Sequence, residues 1–483
     1  MRGIEDELYG LAALYVSSPQ WVKSTIGRLY SIIPTSLRQG GLYRGFAEQA
    51  RLQDPTAVRT LQRQKLRTTL DLATRFVPAY QRYRRQFEQA DDIEAFLRLL
   101  PLTEKEALRR DRAAYITTSP RRKAALAMHT SGSVVPMDFF LEKGYSRPRE
   151  RAFIQAMRER FGDDGSGYSL SLRGRSVRGL DPAAGRWVMV DPIRRLVMGS
   201  TDHLKPEYMH LYAESLRRWR PRRIEGFASS IYLLAKWLHR HPHHDAAASI
   251  EFVYLFSENT YDYQRQVIAA AFGCPVINHY GMAERILFAH SLPDDPRLHF
   301  QPQYGYLELL DERGEPVTSP GERGEIVGTS FDNAVMPFIR YRTNDYAIVA
   351  DTPSRPERGF DVVERIDGRL QEFLVTHDER LIRVDNLVAF AHFSDFDPIE
   401  DMQYFQERPG ELILRLVANS TLPEDYRHAL TAALRERTQN GCTLTIVQVP
   451  SIDRTRAGKR ILIDQRIDIS RYLRAPASEA SSG

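Results

Sequence analysis

The sequence predicts an α/β protein of two domains, a large N-terminal one with a β-rich part and a small α/β one after it. Three observations carry that prediction. At 483 residues the chain exceeds what one ordinary core holds, so at least two domains follow. Beyond about residue 120, apolar runs of strand length alternate with helical stretches, the texture of a largely parallel sheet covered by helices. After IDGRLQEFL the chain restarts as a strand (ELILRLVA), a helix (PEDYRHALTAALRERT) and a strand (CTLTIVQV), a second and smaller α/β unit.

The elements follow in order. The first hundred or so residues read as helical: LQRQKLRTTLDLATRF has apolar residues at helical spacing with arginines opposite, and VPAYQRYRRQFEQ resumes after a proline break. WVMVDP, RRLVMGS, SIEFVYLF and PVINHYG read as strands, and in such sheets the binding loops lie at the carboxyl ends. Between about 303 and 350, YGYLELLDERGEPV, GERGEIVGTS and FIRYRTNDYAIVA break at RG and PG, predicting an antiparallel, barrel-like element. The tail APASEASSG is small and polar and reads as disordered.

Composition narrows the function classes. With 42% hydrophobic and 27% charged residues the chain reads as globular, and no run of about 18 apolar residues offers a transmembrane helix. Acidic residues precede the apolar patch of MRGIEDELYGLAALYVSS and no small-residue cleavage site follows, which argues against a secretory signal and for a cytoplasmic location. Cys274 and Cys442 lie far apart in apolar surroundings and read as small packed hydrophobes. A net charge of +5, spread along the chain, predicts no nucleic-acid partner and suits phosphate-bearing small molecules equally well. A homodimer is left open.

Chemistry concentrates in a few short motifs. HTSGSVVPMDFF, residues 129–140, offers hydroxyls and a glycine in Thr130, Ser131, Gly132 and Ser133, which can wrap phosphate oxygens. SEN places Glu258 after the strand SIEFVYLF, among the nucleotide-binding candidates. NHYGMAE supplies Tyr280 as a face for adenine, Gly281 for close backbone approach, and Glu284 as a carboxylate for Mg²⁺. YRTND delivers Asp345, suited to ribose hydroxyls. IDGR and RAGKR supply Arg369 and Lys459, cations for charge on phosphorus and pyrophosphate.

Taken in that order, the motifs resemble the adenylate-forming superfamily of acyl-CoA synthetases, peptide-synthetase adenylation domains and luciferases. Within it the chain is most similar to the phenylacetate:coenzyme A ligase family, particularly its capsule-biosynthesis and coenzyme-adenylylating branch. The similarity extends through QRQKLRTTLDLATRFVPAYQRYR, LPLTEKEALRR, EGFASSIYLLAKWL, RLHFQPQYGYLELLD and GERGEIVGTSFDNAVMPFIRYRTND, from about residue 50 to 470. It implies an N-terminal ATP- and acid-binding domain over 1–368 with a helical start to about 118, a hinge at 369–373, a mobile C-terminal lid over 374–474, and a disordered tail at 475–483.

The resemblance also assigns roles. It implies that Thr130, Ser131, Gly132 and Ser133 begin the phosphate loop, that Tyr280 and Gly281 flank adenine, that Glu284 binds Mg²⁺, that Asp345 binds ribose, that Arg369 stands beside the hinge, and that Lys459 reaches the α-phosphate during adenylation. The implied activity is ATP-dependent conversion of a carboxylic acid to an acyl-adenylate, then transfer to a thiol, with coenzyme A the default acceptor. Transfer to an amine, a hydroxyl or a carrier protein, or adenylylation alone, is an alternative. A degenerate nucleotide-binding homologue is another, because the loop continues Val134-Val135-Pro136 without a second glycine and Ala283 stands where a hydroxyl usually contacts phosphate. Asn344 replaces a glycine before Asp345, and Gln371 takes the place of a charged hinge residue.

Three further features have plainer readings. The cluster His239, His241, His243, His244 and Asp245 fits no closed zinc spacing and reads as a solvated turn. His129 and His279 flank the two best motifs, and two readings stay open for them: lining the acid pocket, or satisfied core histidines.

Overall fold

The computed structural model describes the chain except residues 1–3, 5–13, 16–17, 120–123, 130–136, 175–179, 205, 242–244, 356–357, 370–372, 385–386, 388–398, 419, 454–460 and 473–483. The expected phosphate loop, Thr130 to Pro136, therefore lies outside the described residues, as do His243, His244, Gln371 and Lys459. The chain forms two units, Met1–Thr260 with Gln264–Asp367, and Tyr261–Tyr263 with Gly368–Gly483.

Among the described residues, the regular elements between Gln20 and Tyr115 are helices, including α1 (Gln20–Ile32), α2 (Leu42–Arg51) and α3 (Pro55–Phe76). The start of α3 is fixed locally: the Asp54 carboxylate accepts the Ala57 N–H at 2.7 Å, and Pro55 occupies the first turn. Val58, Gln62, Leu66, Leu70 and Ala73 then recur every three or four residues as its buried face. Pro78 stops it.

β1 (Ala125–His129) and β2 (Asp138–Glu142) pair antiparallel, with His129 opposite Asp138, so HTSGSVVP joins the two strands of a hairpin. Helix α4 (Ser146–Arg160) leads into the main sheet. Its strands are β3 (Ser169–Gly174), β4 (Val188–Asp191), β5 (Leu196–Ser200), β6 (Arg223–Gly226), β7 (Phe252–Phe256), β8 (Val276–Gly281), β9 (Phe288–Leu292), β10 (Asp295–Phe300), β11 (Gly305–Leu310), β12 (Arg323–Ser330), β13 (Tyr341–Arg355) and β14 (Phe360–Arg369). They are ordered β11-β12-β13-β14-β10-β9-β8-β7-β6-β3-β5-β4. β5, β3, β6, β7 and β8 run parallel, with α5 (Met209–Trp219), α6 (Ala228–Arg240) and α7 (Asp262–Phe272) in their connections. β4, from WVMVDP, instead runs antiparallel to β5 at the sheet edge. The expected antiparallel strands are present as β11, β12 and β13, and they continue the same sheet.

Two cores position the site. Ile277 and Phe288 pack with Phe153 and Met157 of α4. Leu126 and Phe139 of the hairpin share a second core with Ile286, Phe300, Phe338 and Tyr341, against which Tyr280 and Ala283 pack. The strands flanking HTSGSVVP therefore stand in the same core as the NHYGMAE motif.

The second unit contains the hairpin β15 (Phe373–Val375) and β16 (Leu381–Arg383), and a sheet of β17 (Ile399–Arg408), β18 (Glu411–Ala418), β19 (Thr443–Gln448) and β20 (Ile463–Gln465) in the order β19-β18-β17-β20. Leu430 and Leu434 of α8 (Glu424–Arg437) are buried in its core with Tyr404, Leu414 and Cys442. Both cysteines are free, and burial pushes each thiol up to about 11, which suits the packing role expected of them.

Candidate active site

The parallel half of the sheet gives way to antiparallel pairing at β8, which lies between parallel β7 and antiparallel β9. Tyr280 and Gly281 end this strand, at the carboxyl edge where open α/β sheets place their ligands. Gly281 allows a close approach: a Cβ there would lie 3.1 Å from His279 Nε2, so a larger residue would need the imidazole to shift.

Glu284 follows in a tight turn built by neighbours. The Arg285 N–H donates to the Met282 carbonyl at 3.0 Å, and Arg285 has a left-handed φ of 54°. Buried Arg149 of α4 donates to the Arg285 carbonyl at 2.6 Å and also to the Phe331 carbonyl, fixing the turn against the sheet. The Glu284 carboxylate is 9% exposed and accepts the Tyr341 phenol at 3.2 Å. Burial pushes its protonation equilibrium up and Asp345 adds to that, while Lys105 and Tyr341 oppose them. A buried carboxylate of this kind is held in a state that a cation would relieve.

Asp345 reaches the same place by a different device. Glu325 pairs with Tyr346 while Val327 pairs with Arg342, so β13 carries extra residues opposite Ile326 and bulges. Asn344 takes the left-handed conformation in that bulge, φ 57°, which asparagine tolerates better than most residues. Thr343 Oγ1 donates to the Ile326 carbonyl at 2.7 Å and accepts the Asp345 N–H at 3.0 Å. The bulge turns the Asp345 carboxylate to the Tyr280 phenol, 3.0 Å away. Tyr280 in turn packs on Phe300, ring centroids 5.6 Å apart.

The structure thus gathers Tyr280, Gly281, Glu284 and Asp345. It adds Tyr341, which the sequence reading missed; the only available signal was an aromatic four residues before Asp345. Glu258 lies after β7, where its Oε2 accepts the Ser229 N–H at 3.1 Å in the first turn of α6, a charge placed favourably for the helix dipole. Arg369 is the last residue of β14. Thr130, Ser131, Gly132, Ser133 and Lys459 lie outside the described residues.

His129 is exposed at the end of β1. His279 is half-buried between Phe256 and Phe288, its Nε2 buried without a hydrogen-bond partner, and burial lowers it to about 4, with Arg158 acting in the same direction and Glu150 against. His239 lies in the last turn of α6 and His241 caps that helix, its ring stacked 4.1 Å from Trp237. Among the described residues no three His, Cys, Asp or Glu side chains are grouped to hold a metal.

No family model matches the chain. It is 24% identical over 327 residues to Protein CapK of Staphylococcus aureus, covering 66% of this chain and 69% of that protein. The structure resembles 2-hydroxyisobutyryl-CoA ligase in the postadenylation state in complex with R3-HIB-AMP, with a TM-score of 0.66 at 16% identity over 88% of this chain and 93% of that one. It also resembles an acyl acid amido synthetase in complex with 2,4-DB, with a TM-score of 0.54 at 14% identity over 86% and 91% of the two chains. The chain has the fold of these ligases, a large domain followed by a smaller C-terminal one, and the resemblance read from the motifs is borne out at the level of the fold.

Proposed function

We propose that the chain is an AMP-forming ligase that converts a carboxylic acid and ATP to an acyl-adenylate and pyrophosphate, then passes the acyl group to a thiol, with coenzyme A the first candidate. One observation carries this reading: on the fold of such ligases, Tyr280, Glu284 and Asp345 meet at the carboxyl end of β8, linked by the Tyr280–Asp345 and Tyr341–Glu284 hydrogen bonds.

Each group has a task there. Asp345, oriented by Tyr280, accepts the ribose hydroxyls, and the Tyr280 ring borders the adenine. Glu284, a buried carboxylate beside Asp345, fits Mg²⁺ of the kind held by one or two carboxylates together with phosphate oxygens. Bound there, Mg²⁺ would neutralise charge on the phosphates. Tyr341 keeps one Glu284 oxygen directed. Thr130, Ser131, Gly132 and Ser133 are proposed to hold phosphate oxygens through hydroxyls and backbone N–H groups, with Arg369 and Lys459 balancing the charge that develops on phosphorus and pyrophosphate.

An amine acceptor is the second reading, and the likeness to an acyl acid amido synthetase favours it over a hydroxyl or a carrier protein. Pyrophosphate exchange across a panel of carboxylic acids tests the first half-reaction. Exchange with at least one acid is expected; no exchange with any acid, in a protein that still binds ATP, would leave only a nucleotide-binding homologue. Adding coenzyme A or a panel of amines to the accepted acid then identifies the acceptor.

A further inference from the structure

The N-terminal helix α1 presents an apolar face to solvent. It covers the edge strand β4: Gln20 Nε2 donates to the Val190 carbonyl at 3.1 Å, Lys23 Nζ lies 3.1 Å from Met189 Sδ, and Gly27 packs so closely on Pro192 that a Cβ would fall 2.4 Å from the proline ring. Lys23, Gly27 and Tyr30 thus form the inner face. The outer face holds Trp21 at 73% exposure, Leu29 at 64% and Ile32 at 78%. At helical spacing these three lie within one side of α1. Leu14, Ile26, Leu37 and Leu42 are exposed nearby, whereas among the described residues only Leu99 and Val447 are large apolar side chains exposed elsewhere. Scattered exposed apolar side chains need no explanation; seven in one short segment do.

Charge identifies the occupant. Between Glu7 and Glu48 the sequence has no acidic residue and four basic ones; of these Lys23 is buried and Arg44 pairs with Glu48 at 3.1 Å, and Arg28 and Arg38 are the other two. Arg28 is exposed on α1, and Arg194 and Arg195 are exposed in the β4–β5 turn against which the helix packs. The carboxylate at that turn, Asp191, is buried, accepts the Tyr15 phenol at 3.0 Å and lies 3.8 Å from Arg194 Nε, so it offsets the charge of Arg194 but not that of Arg195. A second copy docked face to face would set these arginines against themselves, as two-fold contacts do. A ridge with tryptophan and aliphatic side chains on one side and arginines at its rim matches a helix lying in the interface of an anionic bilayer.

We propose that α1 is a peripheral membrane-docking element that seats Trp21, Leu29 and Ile32 among the acyl chains of an anionic lipid surface, with Arg28 and Arg195 on the headgroups. α1, about 20 Å long, lies in the surface and does not cross it.

Sedimentation of the full chain with vesicles tests this. The protein should bind vesicles of phosphatidylcholine with about one-third phosphatidylglycerol at least about tenfold more tightly than pure phosphatidylcholine, and raised salt should reduce that preference. Trp21→Ser/Leu29→Ser/Ile32→Ser should keep the wild-type melting temperature, since all three side chains are exposed, and lose binding at least about tenfold. Arg28→Glu, a second and milder variant, should weaken binding to the anionic vesicles alone. Wild-type protein that does not sediment with anionic vesicles, a triple variant that binds undiminished, or equal binding to both vesicle types would each overturn the proposal. So would a wild-type dimer that the triple variant converts to monomer without vesicle binding, which would make the face an interface between copies.

Discussion

The Tyr280 phenol donates to Asp345 Oδ2 at 3.0 Å and ties the end of β8 to the bulge of β13. The two residues lie 65 positions apart in sequence. Their contact helps to set the direction of the Asp345 carboxylate, and the left-handed Asn344 beside it makes the bulge possible.

Because Asp345 is directed in advance, its loss should be felt in nucleotide binding. Asp345→Ala should raise the KM for ATP about tenfold or more, the worth of hydrogen bonds to a charged group, and the penalty should be smaller with 2′-deoxy-ATP. Tyr280→Phe keeps the ring and removes only the orienting bond, so a smaller rise of a few fold is expected. Equal penalties for both nucleotides in Asp345→Ala would assign that carboxylate elsewhere.

The sequence made much of this site legible and hid parts of it for physical reasons. SIEFVYLF and PVINHYG show themselves as strands because β7 is apolar throughout and both are bounded by turn residues, and the motif after each falls at its carboxyl end. Tyr341 escaped because the bulge between Arg342 and Tyr346 breaks the two-residue alternation that would have placed it beside Asp345. WVMVDP gave no sign that β4 runs antiparallel, since an apolar run looks the same in either direction. The exposed face of α1 was equally hidden: Val22, Tyr30 and Ile33 are apolar alongside Trp21, Leu29 and Ile32, so no polar side marks which faces water.

Histidines packed among aromatic rings should make the protein acid-sensitive. His279 is lowered to about 4 by burial, with Arg158 and Glu150 facing it, and His290, in register with it on β9, is lowered well below its usual range by burial and by Arg160, His279 and His299. The unfolded chain therefore takes up protons near pH 6.5 that the folded protein accepts only near 4, so stability is full above 6.5 and falls as pH drops through that window. His279 alone accounts for up to about 3 kcal/mol of that fall. Unfolding measured from pH 7.5 down to 4.5 should show a shallower slope in His279→Gln; an identical slope would remove His279 from the account.

Lys459 gives a test of the division of labour between the two half-reactions. Its ammonium is proposed to act on charge that exists mainly in the adenylation transition state, and losing one such electrostatic group typically costs about 10² to 10³ in rate. Lys459→Ala should abolish pyrophosphate exchange and spare the conversion of supplied acyl-adenylate by coenzyme A. Equal damage to both steps would exclude a role confined to adenylation.

Glu284 should reveal itself by opposite effects on activity and stability. Burial raises its protonation equilibrium, so the folded state holds its proton more tightly than the unfolded one. Between the ordinary glutamate value of about 4.3 and the raised folded value the native state binds more protons, and stability therefore decreases as pH rises through that window. At neutral pH the metal-free protein bears the full cost of this carboxylate. Glu284→Gln keeps the shape and the ability to accept the Tyr341 phenol while removing the charge. Without metal or nucleotide it should melt higher than wild type at pH 7.5, and the gain should vanish as pH approaches about 4. Pyrophosphate exchange should fall by about 10² or more, because the charge proposed to face Mg²⁺ is gone. A structural carboxylate would show the reverse, a Gln variant that loses stability and keeps its exchange rate, so the two measurements together decide whether Glu284 is kept in that buried turn for the chemistry or for the fold.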